Sequence, residues 1–305
     1  MNIDWSSCLE QIQKWQGVYE GKLVVVKFGG ALAEDTEIVS NIAKQVDYLQ
    51  KFVRVRSIVI HGGGKQIDQD LTTAGLEITR DKTTGLRVTD RRTLDVSDRS
   101  LRALNGKIVR SFHDTCREIV AVGSAGYDGK TLTAEPCSSE LGGYTGHSPM
   151  VDSTYLHQLI SCTQKPLVPV IYPICWNNAA QDGESRLNVN ADDVACALAT
   201  QMGAVRLIFC ADVPGVLDKE GRLISELSPF DVDNLIEEGV VTGGMIAKLK
   251  SLGKAGEKMT TGGAVILDGR DPNAILAEIL SDSGSGTLVR KDIARIKVVD
   301  APKPK

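Results

Sequence analysis

Residues 22–30, KLVVVKFGG, and residues 57–64, SIVIHGGG, decide the fold class of this chain. Each is a short apolar run that ends in a cluster of glycines, which is typical of a strand buried on both faces of a parallel sheet. Between them Ile38, Ile42 and Val46 recur at helical spacing. Strand, glycine turn, helix and strand together form a βαβ unit, so the sequence predicts an α/β fold with a mainly parallel sheet.

The same alternation extends along the chain. The apolar patterns predict helices over 6–19, 192–202 and 274–280 and strands over 166–173, 205–211 and 264–267, with hairpins and loops over 123–136 and 142–146. The 6–19 helix either covers its own domain or makes oligomer contacts. We predict an N-terminal helix in 1–21 and two lobes, over 22–185 and 186–305. The lobes are expected to share one sheet, because no Pro-, Gly- or Ser-rich linker separates them.

Composition narrows the function classes. The chain has 305 residues and a net charge of −4, so it lacks the basic excess of a general nucleic-acid binder. No apolar run approaches the roughly 18 residues of a membrane span. Asp4, Glu10 and Lys14 interrupt the N-terminal apolar stretches, which argues against a signal peptide. We therefore expect a soluble, cytoplasmic protein.

The seven cysteines and four histidines show no spacing typical of a metal site or a disulfide framework. We expect the cysteines to be reduced and mostly buried, and we expect no structural metal. The cysteines are Cys8, Cys116, Cys137, Cys162, Cys175, Cys196 and Cys210.

Two glycine turns, at 29–30 and 62–64, follow the first two predicted strands. Glycine lets the backbone approach a ligand closely and lets successive N–H groups surround an anion. A single glycine cluster usually marks only a turn, and neither of these is a Walker A or GxGxxG motif. Lys27, however, precedes the first turn inside an apolar run, where an unpaired charge is costly. The pair of turns therefore indicates an anion site.

Four further polar positions are candidates for the same site. Arg87, between two apolar residues, has the planar fork that clamps a carboxylate, although a surface ion pair would explain it equally well. The run 188–192, NVNAD, could face a ligand or simply cap the following helix. Lys248 follows a glycine pair, and the alternative is a solvated lysine. Asp212 ends a predicted strand, where ligands of open α/β sheets bind.

Seven motifs in this order resemble the amino acid kinase family, and within it the kinases that act on N-acetyl-L-glutamate. The similarity runs from about residue 8 to residue 290. It implies a three-layer αβα sandwich around a mainly parallel open sheet, and ATP-dependent phosphorylation of a carboxylate in arginine biosynthesis. The motifs are KFGG (27–30), HGGG (61–64), GLRVTD (85–90), NVNAD (188–192), ADVPGVL (211–217), GGMIAK (243–248) and SGT (285–287).

The resemblance also implies roles for single residues. Lys27 and Lys248 flank the transferring phosphoryl group, and Asp192 orients both lysines. The backbone amides that the resemblance places on the phosphoryl oxygens are those of Gly29, Gly30, Gly62 and Gly63. The residues that it assigns to acceptor binding are Gly62, Gly63, Arg87, Asn188 and Asn190. Those that it assigns to nucleotide binding are Lys27, Gly29, Asp212, Gly215 and Lys248. Mg²⁺ bridges the ATP phosphates.

Some positions depart from the family pattern and leave alternatives open. Ala31 stands where the family often has an asparagine, and the sequence of the loop 123–129 differs from that of the family. Asn273 stands where arginine-inhibited members have a histidine, five residues before Glu278. Arginine control is therefore doubtful, whereas a homo-oligomer (dimer or hexamer) and a PII-type regulatory partner remain candidates. The stretch 143–146 resembles N-acetyl-aminoadipate kinases of lysine biosynthesis, and a non-catalytic ligand-sensing relative is a third alternative.

Overall fold

The computed structural model describes residues 5–161, 165–180, 184–294 and 296–299. The elements of the first part are α1 (Trp5–Tyr19), β1 (Leu23–Phe28), α2 (Ala31–Glu34), α3 (Thr36–Val53), β2 (Arg56–His61), α4 (Gly64–Thr73), α5 (Arg91–Thr115), β3 (Val120–Ala125), β4 (Leu132–Pro136), β5 (Thr145–Val151), α6 (Ser153–Ile160), β6 (Leu167–Tyr172), β7 (Ile174–Asn177) and β8 (Arg186–Val189). Those of the second part are α7 (Ala191–Gln201), β9 (Arg206–Ala211), β10 (Val216–Leu217), β11 (Leu223–Leu227), α8 (Pro229–Glu237), α9 (Gly244–Lys258), β12 (Gly263–Asp268), α10 (Ala274–Leu280), β13 (Thr287–Val289) and β14 (Lys297–Val299).

Most of the described strands form one large, mainly parallel sheet. Its order is β10-β11-β13-β12-β9-β1-β2-β6-β3, and β14 pairs with β11. Antiparallel pairing occurs only toward one side, where β10 and β14 pair with β11 and β12 pairs with β13. β1 lies between β2 and β9, so the sheet continues across the position at which the two lobes were predicted to meet. The predicted mainly parallel open sheet is confirmed.

Helices cover both faces of this sheet and complete the three layers. One apolar cluster joins Val25 of β1 to Val194 of α7 and Leu252 of α9. A second joins Val26 of β1 to Ile42 of α3, together with residues of α5 and α10. Because successive residues of a strand point to opposite faces, Lys27 shares the face of Val25 and projects toward α7.

A small closed barrel, β4-β5-β8-β7, lies beside the sheet. Its β4 and β5 pair antiparallel, so a hairpin spans the two stretches, 123–136 and 142–146, for which hairpins and loops were predicted. The barrel itself was not predicted. It brings β8 next to β5, where Asn188 pairs with Thr145.

The five described cysteines are free thiols, and Cys116, Cys175 and Cys210 among them are buried. Cys162 and the side chain of Cys8 lie outside the described residues. None of the described helices is long and apolar enough to cross a membrane.

Asp47 of α3 holds the segment that directly follows α5, the longest described helix. This carboxylate is buried and accepts the backbone N–H groups of Arg117, Glu118 and Ile119 at 3.1, 2.8 and 3.1 Å. It therefore fixes the connection from α5 to β3, and with it the position of α5 behind the glycine turns.

We predict that Asp47→Ala lowers the free energy of unfolding by about 2–4 kcal/mol, because three backbone donors, among them that of the buried Ile119, lose a buried charged acceptor. Urea unfolding followed by circular dichroism measures this difference. Asp114→Ala is the matched control, because Asp114 is exposed at the same end of α5 and should change stability by less than about 0.5 kcal/mol. Equal effects of the two substitutions would contradict the role given to Asp47.

Candidate active site

The centre of the site is a buried ion pair between Lys27 at the end of β1 and Asp192 in the first turn of α7. Lys27 Nζ lies 2.5 Å from Asp192 Oδ1, and both side chains are about nine-tenths buried, with exposures of 10 % and 11 %. Asn190 caps α7, since its Oδ1 accepts the backbone N–H of Asp192 at 3.0 Å. The cap fixes the start of the helix and thereby the carboxylate that holds Lys27.

The two glycine turns meet beside this ion pair. A Cβ on Gly29 would lie 3.3 Å from the Cα of Gly62, and a Cβ on Gly62 would lie 3.5 Å from the Cβ of Ala191. The absence of side chains therefore lets both turns and the start of α7 come into contact. The amide prediction for Gly62 needs a correction, because its N–H donates to the carbonyl of Phe28 at 2.9 Å and is not free for an anion.

Each glycine turn leads into a helix whose start has no side-chain cap. Gly63 precedes α4, and Gly30 precedes the short α2. Gly243 precedes α9 with nearly the same backbone angles as Gly30, φ 58° and ψ −139° against φ 59° and ψ −136°. A positive φ favours glycine at both positions. Helix starts without a cap leave N–H groups for a ligand, and an anion is the species that they favour.

Lys248 lies half-buried on α9 and forms no ion pair within the described part of the chain. One turn further along α9, the carbonyl of Ser251 accepts a hydrogen bond from Cys196 Sγ at 3.3 Å. Because Cys196 belongs to α7, the helix that carries Lys248 packs against the helix that carries Asp192. The helix that carries Lys248 thus lies next to the helix that holds Lys27 through Asp192.

Arg87 is 7 % exposed and lies beside the second glycine turn. Its Nη1 is 2.6 Å from Asp68 Oδ1, and its Nη2 donates to the carbonyl of Gly64 at 3.2 Å. Burial lowers the pKa of Arg87, against the opposing effect of Asp68. The sequence alone does not identify the partner of Arg87, which is Asp68, one helical turn into α4.

The motifs that contain Arg87 and Asn188 come together at the barrel. Asn188 Nδ2 donates to Thr89 Oγ1 at 3.2 Å, and the Asn188 backbone N–H donates to the carbonyl of Tyr144. Thr145 Oγ1 in turn donates to the carbonyl of Arg87 at 2.8 Å. These bonds fix Asn188 and Arg87 relative to each other.

Two of the predicted nucleotide residues, Asp212 and Gly215, lie beyond β9. Asp212 is exposed at the carboxyl end of β9. Gly215 is enclosed, since a Cβ there would lie 2.6 Å from Thr287 Oγ1 and 2.7 Å from Leu223 Cδ1. A cavity of about 190 Å³ lies between residues 215–217 and residues 240–245. This cavity connects the loop after β9 with the start of α9.

Residues 22–265 match the model of the amino acid kinase family. The chain belongs to the amino acid kinase family. Among its relatives is the acetylglutamate kinase of Novosphingobium aromaticivorans, 36 % identical, with 89 % of this chain and 91 % of the relative covered. The acetylglutamate kinase of Erythrobacter litoralis is 37 % identical, with 90 % and 92 % covered.

Solved structures support the same fold for this amino acid kinase. N-acetylglutamate synthase from Neisseria gonorrhoeae, complexed with coenzyme A and L-arginine, has a TM-score of 0.80 at 20 % identity over 95 % of this chain and 66 % of its own. Carbamate kinase from Giardia lamblia has a TM-score of 0.62 at 15 % identity, over 89 % of this chain and 99 % of its own. At these identities the likeness establishes the fold alone.

Behind the glycine turns of the kinase, His61 is fully buried, and burial lowers its pKa to about 4. The unfolded chain binds a proton at His61 near pH 6.5, whereas the folded chain does not. The contribution of the neutral His61 to the free energy of unfolding is therefore fully present above pH 6.5 and is lost as the pH falls toward 4.

We predict that lowering the pH from 7 to 5 reduces the free energy of unfolding of the wild type by about 2 kcal/mol more than that of His61→Asn. Urea unfolding at both pH values measures the difference. His147→Asn serves as control, since His147 is only half-buried, and it should retain the wild-type pH dependence. The same pH dependence in His61→Asn and wild type would show that His61 titrates normally.

Proposed function

We propose that this amino acid kinase transfers the γ-phosphoryl group of ATP to the side-chain carboxylate of N-acetyl-L-glutamate. The product is N-acetyl-L-glutamyl 5-phosphate, an acyl phosphate of arginine biosynthesis. The observation that carries the proposal is the buried Lys27–Asp192 ion pair at the contact of two glycine turns. The named activity of the relatives supplies the acceptor.

Phosphoryl transfer requires positioning and charge stabilisation and little covalent chemistry from the protein. In our proposal Lys27 and Lys248 neutralise charge that develops on the phosphoryl oxygens, and Asp192 keeps Lys27 in place. The amides of Gly29, Gly30 and Gly63 add further donors. The acceptor carboxylate is already ionised at pH 7, so no general base is needed. Mg²⁺ bound with ATP would supply further neutralisation of the phosphate charge.

We assign acceptor binding mainly to the 22–185 lobe and ATP binding to the 186–305 lobe. Arg87 supplies a fixed planar cation for a carboxylate. Asn188 supplies an amide tied to the same segment through Thr89, and Asn190 supplies an amide at the start of α7. Gly62 allows the acceptor to approach the backbone. On the ATP side, Gly215 lines the cavity between residues 215–217 and 240–245, and we assign Asp212 and Lys248 to the same half.

We also propose a cytoplasmic homo-oligomer, a dimer or a hexamer, with a PII-type protein as a candidate regulator. These assignments are supported by the family resemblance alone. Size-exclusion chromatography with light scattering, with and without added PII-type protein, tests them directly.

The experiment that tests the activity is acyl phosphate formation trapped as a hydroxamate. Purified protein with ATP, Mg²⁺ and N-acetyl-L-glutamate should give hydroxamate, and omission of ATP should abolish it. A parallel reaction with N-acetyl-aminoadipate should be slower. Faster turnover of that acceptor would move the protein to lysine biosynthesis, and no product with either acceptor would favour a ligand-sensing protein.

We predict that Lys27→Ala and Lys248→Ala each lower kcat by about 10²–10³-fold and change the KM for N-acetyl-L-glutamate much less, because these charges act mainly in the transition state. Lys250→Ala is the matched control, since Lys250 is exposed two residues further along α9. Unchanged turnover in either variant would show that the lysine is merely a structural or solvated cation.

Arg87→Ala should instead raise the KM for N-acetyl-L-glutamate by about 10–100-fold, the size expected for a lost hydrogen bond to a charged group, with a smaller loss in kcat. Arg80→Ala is the control because Arg80 also pairs with Asp68, at 2.9 Å, but is exposed. Equal effects of the two substitutions would assign Arg87 to holding Asp68 rather than the acceptor.

A further inference from the structure

His61 ends β2 directly before the second glycine turn, and its hydrogen bonds fix the position of its proton. Asn105 of α5 places its Nδ2 at 3.0 Å from His61 Nε2 and at 2.8 Å from the carbonyl oxygen of Val170. A carbonyl oxygen only accepts, so Val170 requires that the amide NH₂, and not its oxygen, faces both partners. Nε2 of His61 must then accept, and the proton of the neutral imidazole lies on Nδ1.

That proton faces the peptide group inside the glycine turn. His61 Nδ1 lies 3.2 Å from the carbonyl oxygen of Gly62. No cis peptide bond occurs in the described backbone, so the N–H of Gly63 points opposite to the Gly62 carbonyl. A carbonyl held toward the imidazole therefore directs the Gly63 N–H away from it.

Further contacts fix the backbone on either side of this peptide. The Gly62 N–H is held by the carbonyl of Phe28 at 2.9 Å. On the other side, the Cα of Gly63 abuts α5, because a Cβ there would lie 2.9 Å from Leu101 and 3.0 Å from Leu104. The Gly63 N–H itself has no acceptor within the part of the chain that the structure describes.

We infer that His61 and Asn105 are positioning residues, which hold the Gly62–Gly63 peptide so that the Gly63 N–H faces the transferring phosphoryl group. This inference rests on the proposed kinase function. A donor fixed before the reaction stabilises developing charge without reorganisation during it. Asn105 also requires glycine at position 123, where a Cβ would lie 2.3 Å from its Oδ1.

Two substitutions of His61 separate positioning from a purely structural role. His61→Phe fills the ring volume but removes the donor to Gly62. His61→Asn places a side-chain N–H near the former Nδ1 position and keeps that donor. Both substitutions remove Nε2 of His61, which accepts from the Asn105 amide, so this loss is the same in the two variants.

His61→Phe should lower kcat by about 10–100-fold, with both KM values changed less than about threefold, and should weaken binding of ADP with aluminium fluoride by the same factor. His61→Asn should retain most of the wild-type kcat. Equal losses in the two variants, or losses confined to KM, would overturn the inference. Circular dichroism at the assay temperature confirms that both variants are folded.

A second measurement does not depend on activity. ¹⁵N NMR of the imidazole in the wild-type protein at pH 7 should show a neutral ring protonated at Nδ1. A ring protonated at Nε2 would remove the hydrogen bond to Gly62 and refute the positioning role, while leaving the kinase assignment intact. A wild-type protein that forms no acyl phosphate would instead remove the proposed function, and the inference with it.

Discussion

The Lys27–Asp192 ion pair is the constraint on which the rest of the site depends. Removing two charges from water is costly, and a single partner only partly compensates for it. Lys27 has three N–H donors, and Asp192 is its only ionic partner within the described residues. The pair thus leaves donors of a buried cation for another anion. The same burial makes α7 a fixed element, since any shift of this helix would separate the two charges.

The glycine turns follow from this constraint. The contact of Gly29 with Gly62 brings two parallel strands and the start of α7 together next to the charge. Behind them α5 supplies leucines against Gly63 and an amide against His61. The site is therefore built from the carboxyl end of the sheet and from one long helix that closes it from behind. The fold by itself does not select the acceptor, because proteins named as a synthase and as carbamate kinase share it.

Much of this architecture could be predicted from local patterns. Apolar runs ending in glycine predicted β1 and β2, and the 274–280 pattern matched α10 residue for residue. The 25-residue helix α5 was missed. Its sequence has Asp90 as a cap and an apolar stripe at helical spacing, which could have revealed it: Leu94, Leu101, Leu104, Ile108 and Phe112.

The remaining features depend on contacts between distant residues, which a pattern does not encode. The barrel depends on β4 pairing with β7 and β5 with β8. The partner of Arg87 lies 19 residues earlier, at Asp68, and the partner of His61 lies 44 residues later, at Asn105. The motifs identified Lys27 and Asp192, but only the three-dimensional structure shows them 2.5 Å apart.

The central claim is that Lys27 and the glycine amides converge on one reacting phosphorus atom. A crystal structure with ADP, Mg²⁺, aluminium fluoride and N-acetyl-L-glutamate measures this directly. The account predicts fluorine atoms at about 3 Å from both Lys27 Nζ and the Gly63 nitrogen, with the acceptor carboxylate in line with the leaving oxygen. An aluminium fluoride group bound away from Lys27, or a Gly63 N–H pointing away from it, would contradict the account.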